Sequence, residues 1–306
     1  MTGDVGQRFD GRSDRPRFCD VAHSPACKLP LPAFSTLQRL LSLFPLRNLI
    51  LRLTPRRFVW LLACTALNLH AQPLPTVAAA ADLQFVLPEV AQRFERDGGQ
   101  PLRLVFGSSG VFYSQIQQGA PFALFLSADE RFVFQLAEAG KTIGRGRLYA
   151  LGRIGIFVPP GSPLRADGEL QDLAAALRDG RLQKFAIANP EHAPYGARAQ
   201  EALQHAGLWQ AIQPRLVLGE NIAQTAQFAL SGSTQGGIVA QSLALAPALA
   251  QRGKFALIPE AWHQALRQRM VLMRDAPANA RRFYDYLSTP AAQEILARHG
   301  FVMPQE

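Results

Sequence analysis

Four short segments of this 306-residue chain place small, hydroxylated or amide residues between an apolar strand-like run and a helical pattern. They are Ala80-Ala81-Asp82, Gly107-Ser108-Ser109-Gly110, Ser127-Ala128-Asp129 and Glu220-Asn221-Ile222. The first N–H groups of a helix have no intrahelical acceptor and lie at the positive end of its dipole. In an open parallel sheet these groups face the crevice beyond the carboxyl ends of the strands. The chemistry on offer is the binding of an oxyanion by neutral donors, without Lys or Arg.

Each segment alone also has a plainer reading. Gly107-Ser108-Ser109-Gly110 is a loop with an N-cap serine. Asn189-Pro190 and Ala193-Pro194-Tyr195-Gly196 are turn chemistry ahead of a helix. What favours binding is their occurrence together, in order, along one chain. Nucleophilic and metal chemistry are poorly supplied, because no Cys follows Gln72 and His192, His205, His263 and His299 lack metal-ligand spacing.

The elements that would position these junctions alternate between strand and helix from Thr76 onward, the pattern of an α/β protein with largely parallel sheets. Strands are expected at 76–80, 102–106, 124–127, 153–158, 184–188, 216–218, 236–240, 255–258 and 268–273. Helices are expected at 85–96, 110–118, 130–139, 170–179, 196–206, 222–231, 241–251, 278–287 and 290–299.

The formal charge of +9 suggests nucleic acid or a membrane surface, but its distribution removes that argument. Ten Lys or Arg and four Asp or Glu precede Gln72, so 22 bases face 19 acids in the remainder, an excess of +3. No nucleic-acid partner is expected. Arg56-Arg57, the apolar run 58–67 and Leu69-His70-Ala71 have the form of a secretory signal cut near Gln72, which implies the periplasm. Residues 1–71 are thus an N-terminal extension plus signal peptide, and translation is expected to start downstream of Met1 at a non-AUG codon near Leu53; the alternative is a disordered extension, or an amphipathic helix on the membrane surface from Leu37 to Leu53. All three cysteines (Cys19, Cys27, Cys64) precede the cut, and Leu61-Leu62-Ala63-Cys64 loosely matches a lipoprotein box.

Over residues 75–305 the chain resembles the molybdate-binding proteins of ABC importers. The resemblance rests on VAAAA at 77–81, FGSSGVFYSQIQQGAP at 106–121, LFLSADE at 124–130 and NPEHAPYG at 189–196. It continues through GENI at 219–222, GIVA at 237–240 and FYDYL at 283–287 to Gly300-Phe301. This likeness implies a type II periplasmic-binding-protein fold: two lobes, each a largely parallel sheet flanked by helices, joined by a two-stranded hinge. Lobe 1 would take 75–152 and 242–306, and lobe 2 would take 153–241. The crossings would fall near Leu151-Gly152 and Ala240-Gln241.

The likeness also implies a site in which molybdate or tungstate is dehydrated between the lobes. Ser109 would hold one oxygen through its hydroxyl and N–H, with Ser108 beside it. Ala128 and Ile222 would donate backbone N–H groups, and Tyr195 would close over the anion with its hydroxyl. No cofactor and no turnover are implied; the partners would be an inner-membrane permease with its ATPase, and the chain a monomer.

This chain departs from the family pattern twice. Asp82 stands where the family has a Ser or Thr ligand, and a carboxylate facing a dianion at ~4 Å costs on the order of 4 kcal/mol per charge pair at an effective dielectric of about 20. Asp82 is therefore expected to turn away as a helix N-cap; a bound proton, or a shift placing Ala81 at the site, are the alternatives. Pro88 pulls the following helix start toward Phe85. Ala240 replaces a tyrosine that some members carry. The competing functions are a binding protein for sulfate or thiosulfate, an enzyme on the same scaffold, and the sensing half of a transcription regulator.

Overall fold

The structure is a computed structural model that describes residues 73–304. The extension, the h-region 58–67, Cys64 and the cut near Gln72 lie outside the described residues. Among the described residues no helix is long and apolar enough to cross a membrane.

The first sheet contains β1 (Thr76–Ala80), β2 (Arg103–Gly107), β3 (Leu124–Ser127), β4 (Arg147–Gly152) and β10 (Leu266–Leu272). The second contains β5 (Ile154–Val158), β6 (Phe185–Ala188), β7 (Leu216–Gly219), β8 (Gly237–Ala240) and β9 (Lys254–Leu257). Their orders are β2-β1-β3-β10-β4 and β7-β6-β8-β5-β9. Strands β1, β2 and β3 run parallel, as do β6, β7 and β8. The remaining two strands of each sheet pair antiparallel, so both sheets are mixed, each with a parallel half.

The antiparallel strands are those that carry the chain between the sheets. The first crossing is the peptide between Gly152 of β4 and Arg153, ahead of β5. The second crossing was expected near Ala240-Gln241 and falls later: β9 still pairs with β5 in the second sheet, and the chain returns only between Leu257 and Leu266. Since β4 pairs with β10 and β5 with β9, the two crossings lie side by side as a hinge.

The helices follow local chemistry. In α1 (Leu87–Arg96), Leu87, Val90, Ala91 and Phe94 are buried at the i, i+3, i+4, i+7 spacing of one helical face. The others are α2 (Ser109–Gln117), α3 (Glu130–Glu138), α4 (Gln171–Arg178), α5 (Pro194–His205), α6 (Trp209–Ile212), α7 (Ile222–Leu230), α8 (Gln241–Ala244), α9 (Pro247–Ala250), α10 (Ala278–Tyr286) and α11 (Pro290–Arg298). The single helix expected over 241–251 is broken at Ala246, whose φ of −63° and ψ of 140° put it in extended backbone ahead of Pro247 and α9. Pro247 has no N–H to donate, and it pushes the preceding residue out of the helical region.

Leu126, Phe283 and Leu296 pack on one face of the first sheet, and Phe112, Phe125 and Val271 on the other. The second lobe's core, around Phe157, Phe185 and Leu203, continues into Ala80, Ala81 and Ala128 of the first. The lobes therefore meet at the strand-to-helix junctions.

Candidate functional site

Helix starts from both lobes converge on a small cavity of about 10 Å³, lined by Ala80, Ala81, Gly107, Ser108, Ser109, Ala128, Ala193, Pro194, Tyr195, Asn221 and Ile222. No lining residue is charged. Four strands, β1, β2, β3 and β7, end at this point, and α2, α5 and α7 begin there. A 3-10 turn, Ala81–Leu83, supplies the fourth start.

Several donors at this point are already partnered. The Ala128 N–H donates to Ser109 Oγ at 3.0 Å, which leaves the serine's own hydrogen free to point elsewhere. Asn221 is the N-cap of α7 and accepts from the N–H groups of Ala223 and Gln224, each at 3.0 Å. That cap leaves the N–H of Ile222, the first helical residue, without an intrahelical acceptor.

The two lobes touch directly over the cavity. The carbonyl of His192 accepts from Ser108 Oγ at 2.5 Å and from the Gly110 N–H at 3.0 Å. Because the Ser108 hydrogen is used there, the 3.1 Å contact between His192 Nδ1 and Ser108 Oγ makes Nδ1 the donor. A Cβ on Gly110 would lie 2.4 Å from the His192 carbonyl oxygen, so this approach requires glycine.

Asp82 is not an N-cap. The cap of its 3-10 turn is Ala80, with no side-chain cap bond, and Asp82 is 1% exposed within the turn. Its Oδ2 accepts from the Tyr195 hydroxyl at 2.8 Å and from Gln268 Nε2 at 2.7 Å. A buried carboxylate demands strong donors, and two side chains provide them where the short turn does not. Oδ1 has no partner. Burial pushes the carboxyl up from 3.8 to about 6, against the lowering effect of the Gln268 and Tyr195 hydrogen bonds.

The Tyr195 hydroxyl also accepts from Gln268 Nε2 at 3.0 Å, and Tyr149 donates to Gln268 Oε1 at 2.6 Å. These bonds fix the amide orientation of Gln268. Burial, then the charge of Asp82, push both tyrosines well above their ordinary value.

Of the residues read from the sequence, Ser108, Ser109, Ala128, Tyr195, Ile222 and Ala81 share the cavity wall. Asp82 does not, and the Tyr195 hydroxyl points at Asp82. Gln268, Tyr149, His192 and Gly110 were missed as contributors. Gln268 carried a readable signal: period-two alternation along β10 sets it on the same side as Leu266 and Met270, and all three are buried.

Residues 75–302 match the family of bacterial extracellular solute-binding proteins. The molybdate-binding protein ModA of Azotobacter vinelandii is 36% identical over 245 residues, 79% of this chain and 93% of that protein. That of Rhodobacter capsulatus is 35% identical, over 74% of this chain and 88% of its own length. The solved structure of the periplasmic molybdate-binding protein of A. vinelandii superposes with a TM-score of 0.68 at 28% identity, covering 76% of this chain and all (100%) of that one. With the fold, the interlobe cavity and this extent of similarity in agreement, the chain belongs to the bacterial extracellular solute-binding protein family.

Proposed function

We propose that this chain is a periplasmic solute-binding protein that captures molybdate, or tungstate, between its lobes and delivers it as a monomer to an ABC permease with its ATPase. The observation that carries this reading is the neutral cavity, in which helix starts and hydroxyls converge without any Lys or Arg among the lining residues. Its volume of about 10 Å³ is far below the roughly 300–1,000 Å³ of pockets for drug-sized ligands, which favours a small inorganic anion over an organic substrate or cofactor. The names of the relatives support the choice of anion.

In this reading Ser109, through its free hydroxyl hydrogen and its N–H, and the N–H groups of Ile222 and Ala81 hold the anion's oxygens. Ala128 takes part through Ser109 or by turning its N–H inward, and Tyr195 and Ser108 complete the wall. Asp82 makes no contact in this reading, and its carboxyl, engaged by Tyr195 and Gln268, repels a dianion less than one facing the anion would. Donors left unpaired penalise a misfitting anion, so sulfate is rejected for its shorter bonds and hydrogen phosphate for a proton that meets no acceptor. No bond is made or broken.

Calorimetric titration of the chain from Gln72 with molybdate, tungstate, sulfate and phosphate tests this. Binding of molybdate and tungstate far above the other two is the expected result. Preference for sulfate would transfer the assignment to a sulfate or thiosulfate carrier, and no response to any of the four would end the oxyanion reading. Release of a soluble protein beginning near Gln72 in a periplasmic extract is the expected processing, checked by mass spectrometry; a diacylated Cys64 would contradict it.

A further inference from the structure

The hydroxyl of Tyr195, a second-lobe side chain, lies among first-lobe groups that stand outside the cavity. Asp82 Oδ2 is 2.8 Å away and Gln268 Nε2 is 3.0 Å away. A Cβ on Gly152, the last residue of β4, would come within 2.4 Å of that hydroxyl and 2.8 Å of Gln268 Nε2. None of Asp82, Gln268 and Gly152 lines the cavity. Asp82, Tyr195, Gln268 and Tyr149 are all buried, at 4% exposure or less, and Tyr149 orients Gln268 from behind.

We propose that Asp82 is a positioning residue that draws the Tyr195 hydroxyl away from the anion and uses it to latch the two lobes, so that it sets how long the closed complex lasts. This rests on the reading of the cavity as the anion site. The geometry gives the latch its strength. A buried carboxylate accepting an O–H and an amide N–H makes charge-assisted bonds, and opening the hinge must break the Tyr195 bonds because that residue leaves with the second lobe. A second contact reinforces the first from the lobe-crossing side, where Ser242 Oγ of α8 donates to the Asp82 carbonyl at 3.0 Å. Gly152 leaves the space at the hinge that the tyrosine hydroxyl occupies.

A latch and an anion contact make different kinetic demands. A hydroxyl that touches the anion acts whether or not Asp82 is present, whereas a hydroxyl that acts through Asp82 loses its effect together with it. Chase of radiolabelled molybdate with unlabelled molybdate, with stopped-flow association, separates them in Asp82→Ala, Tyr195→Phe, the double variant and Asp82→Asn. Each single variant is expected to release molybdate roughly ten- to a hundredfold faster, the range for losing one hydrogen bond to a charged group, with association changed by less than about threefold, since such differences reside mostly in release. The double variant should release no faster than the quicker single one, and Asp82→Asn, whose amide oxygen still accepts but carries no charge, should recover part of the loss. Multiplying effects in the double variant, or a silent Asp82→Ala beside a damaging Tyr195→Phe, overturns the latch. Small-angle scattering of the ligand-free chains reads the same device without the anion: both single variants should open together. If the parent fails to bind molybdate while both variants still open, the anion reading fails and the latch stands; if neither opens more than the parent and release is unchanged, the latch fails.

Discussion

Ser109 Oγ accepts the backbone N–H of Ala128 at 3.0 Å, so two groups that line the same cavity partly satisfy each other. The hydroxyl hydrogen is the part left for a ligand. Ser109→Ala should therefore cost about 1.5 to 3 kcal/mol of molybdate affinity, the range for a hydrogen bond to a charged group. Calorimetry against the parent checks this, and equal affinities would remove Ser109 from the site.

Gly110 joins the lobes through its N–H and stands where a methyl would strike the His192 carbonyl. In the second position of α2, alanine is a better helix former than glycine by up to about 1 kcal/mol. Gly110→Ala should then leave the ligand-free melting temperature unchanged or raised while lowering molybdate affinity tenfold or more. Parallel loss of stability and affinity would mean that the helix, not the closure, depends on this glycine.

The pH dependence of stability isolates Asp82, whose carboxyl rises from 3.8 unfolded to about 6 folded through burial. Between those values the native chain keeps a proton that the unfolded chain has released. The stability tied to this group is thus fully present below about 3.8 and is lost as pH rises to about 6. The loss amounts to about 3 kcal/mol. Asp82→Asn has no charge to bury, so its advantage over the parent should grow from near zero at pH 4 to a plateau above pH 6.5. Urea unfolding of the ligand-free proteins measures it; a difference independent of pH would show that Asp82 does not titrate in this range.

Asn221 caps α7 through the N–H groups of Ala223 and Gln224. Asn221→Ala should lower unfolding stability by about 0.5 to 2 kcal/mol and reduce molybdate affinity less than Ser109→Ala does. A larger effect on affinity than on stability, from paired melts and titrations, would give its side chain a direct place at the anion.

Most strands were legible because their apolar runs are short and bounded by turn residues, and the junctions Ser108-Ser109 and Asn221-Ile222 were legible because helix starts have a narrow chemistry. Strand β4 was missed: it runs into β5 with no turn residue between Gly152 and Ile154 beyond Arg153, so nothing local announces that the chain changes sheets there. The late second crossing was hidden likewise, since the membership of β9 is decided by pairing with β5, a strand about a hundred residues earlier. Asp82, expected as an N-cap, instead bonds to two distant side chains. Its true partners, Tyr195 and Gln268, stand 113 and 186 residues away, beyond the reach of local capping rules.

A cavity walled only by neutral groups adds no formal charge to the field outside it, only the partial charges of its helix starts. Exposed charges are screened within roughly 8 Å at physiological ionic strength, and here the lining offers none to screen. Capture should then depend on collision and fit instead of long-range attraction, with an association rate nearly flat between low and high sodium chloride. A carrier built this way would keep its selectivity through the swings of osmolarity that an outer compartment imposes.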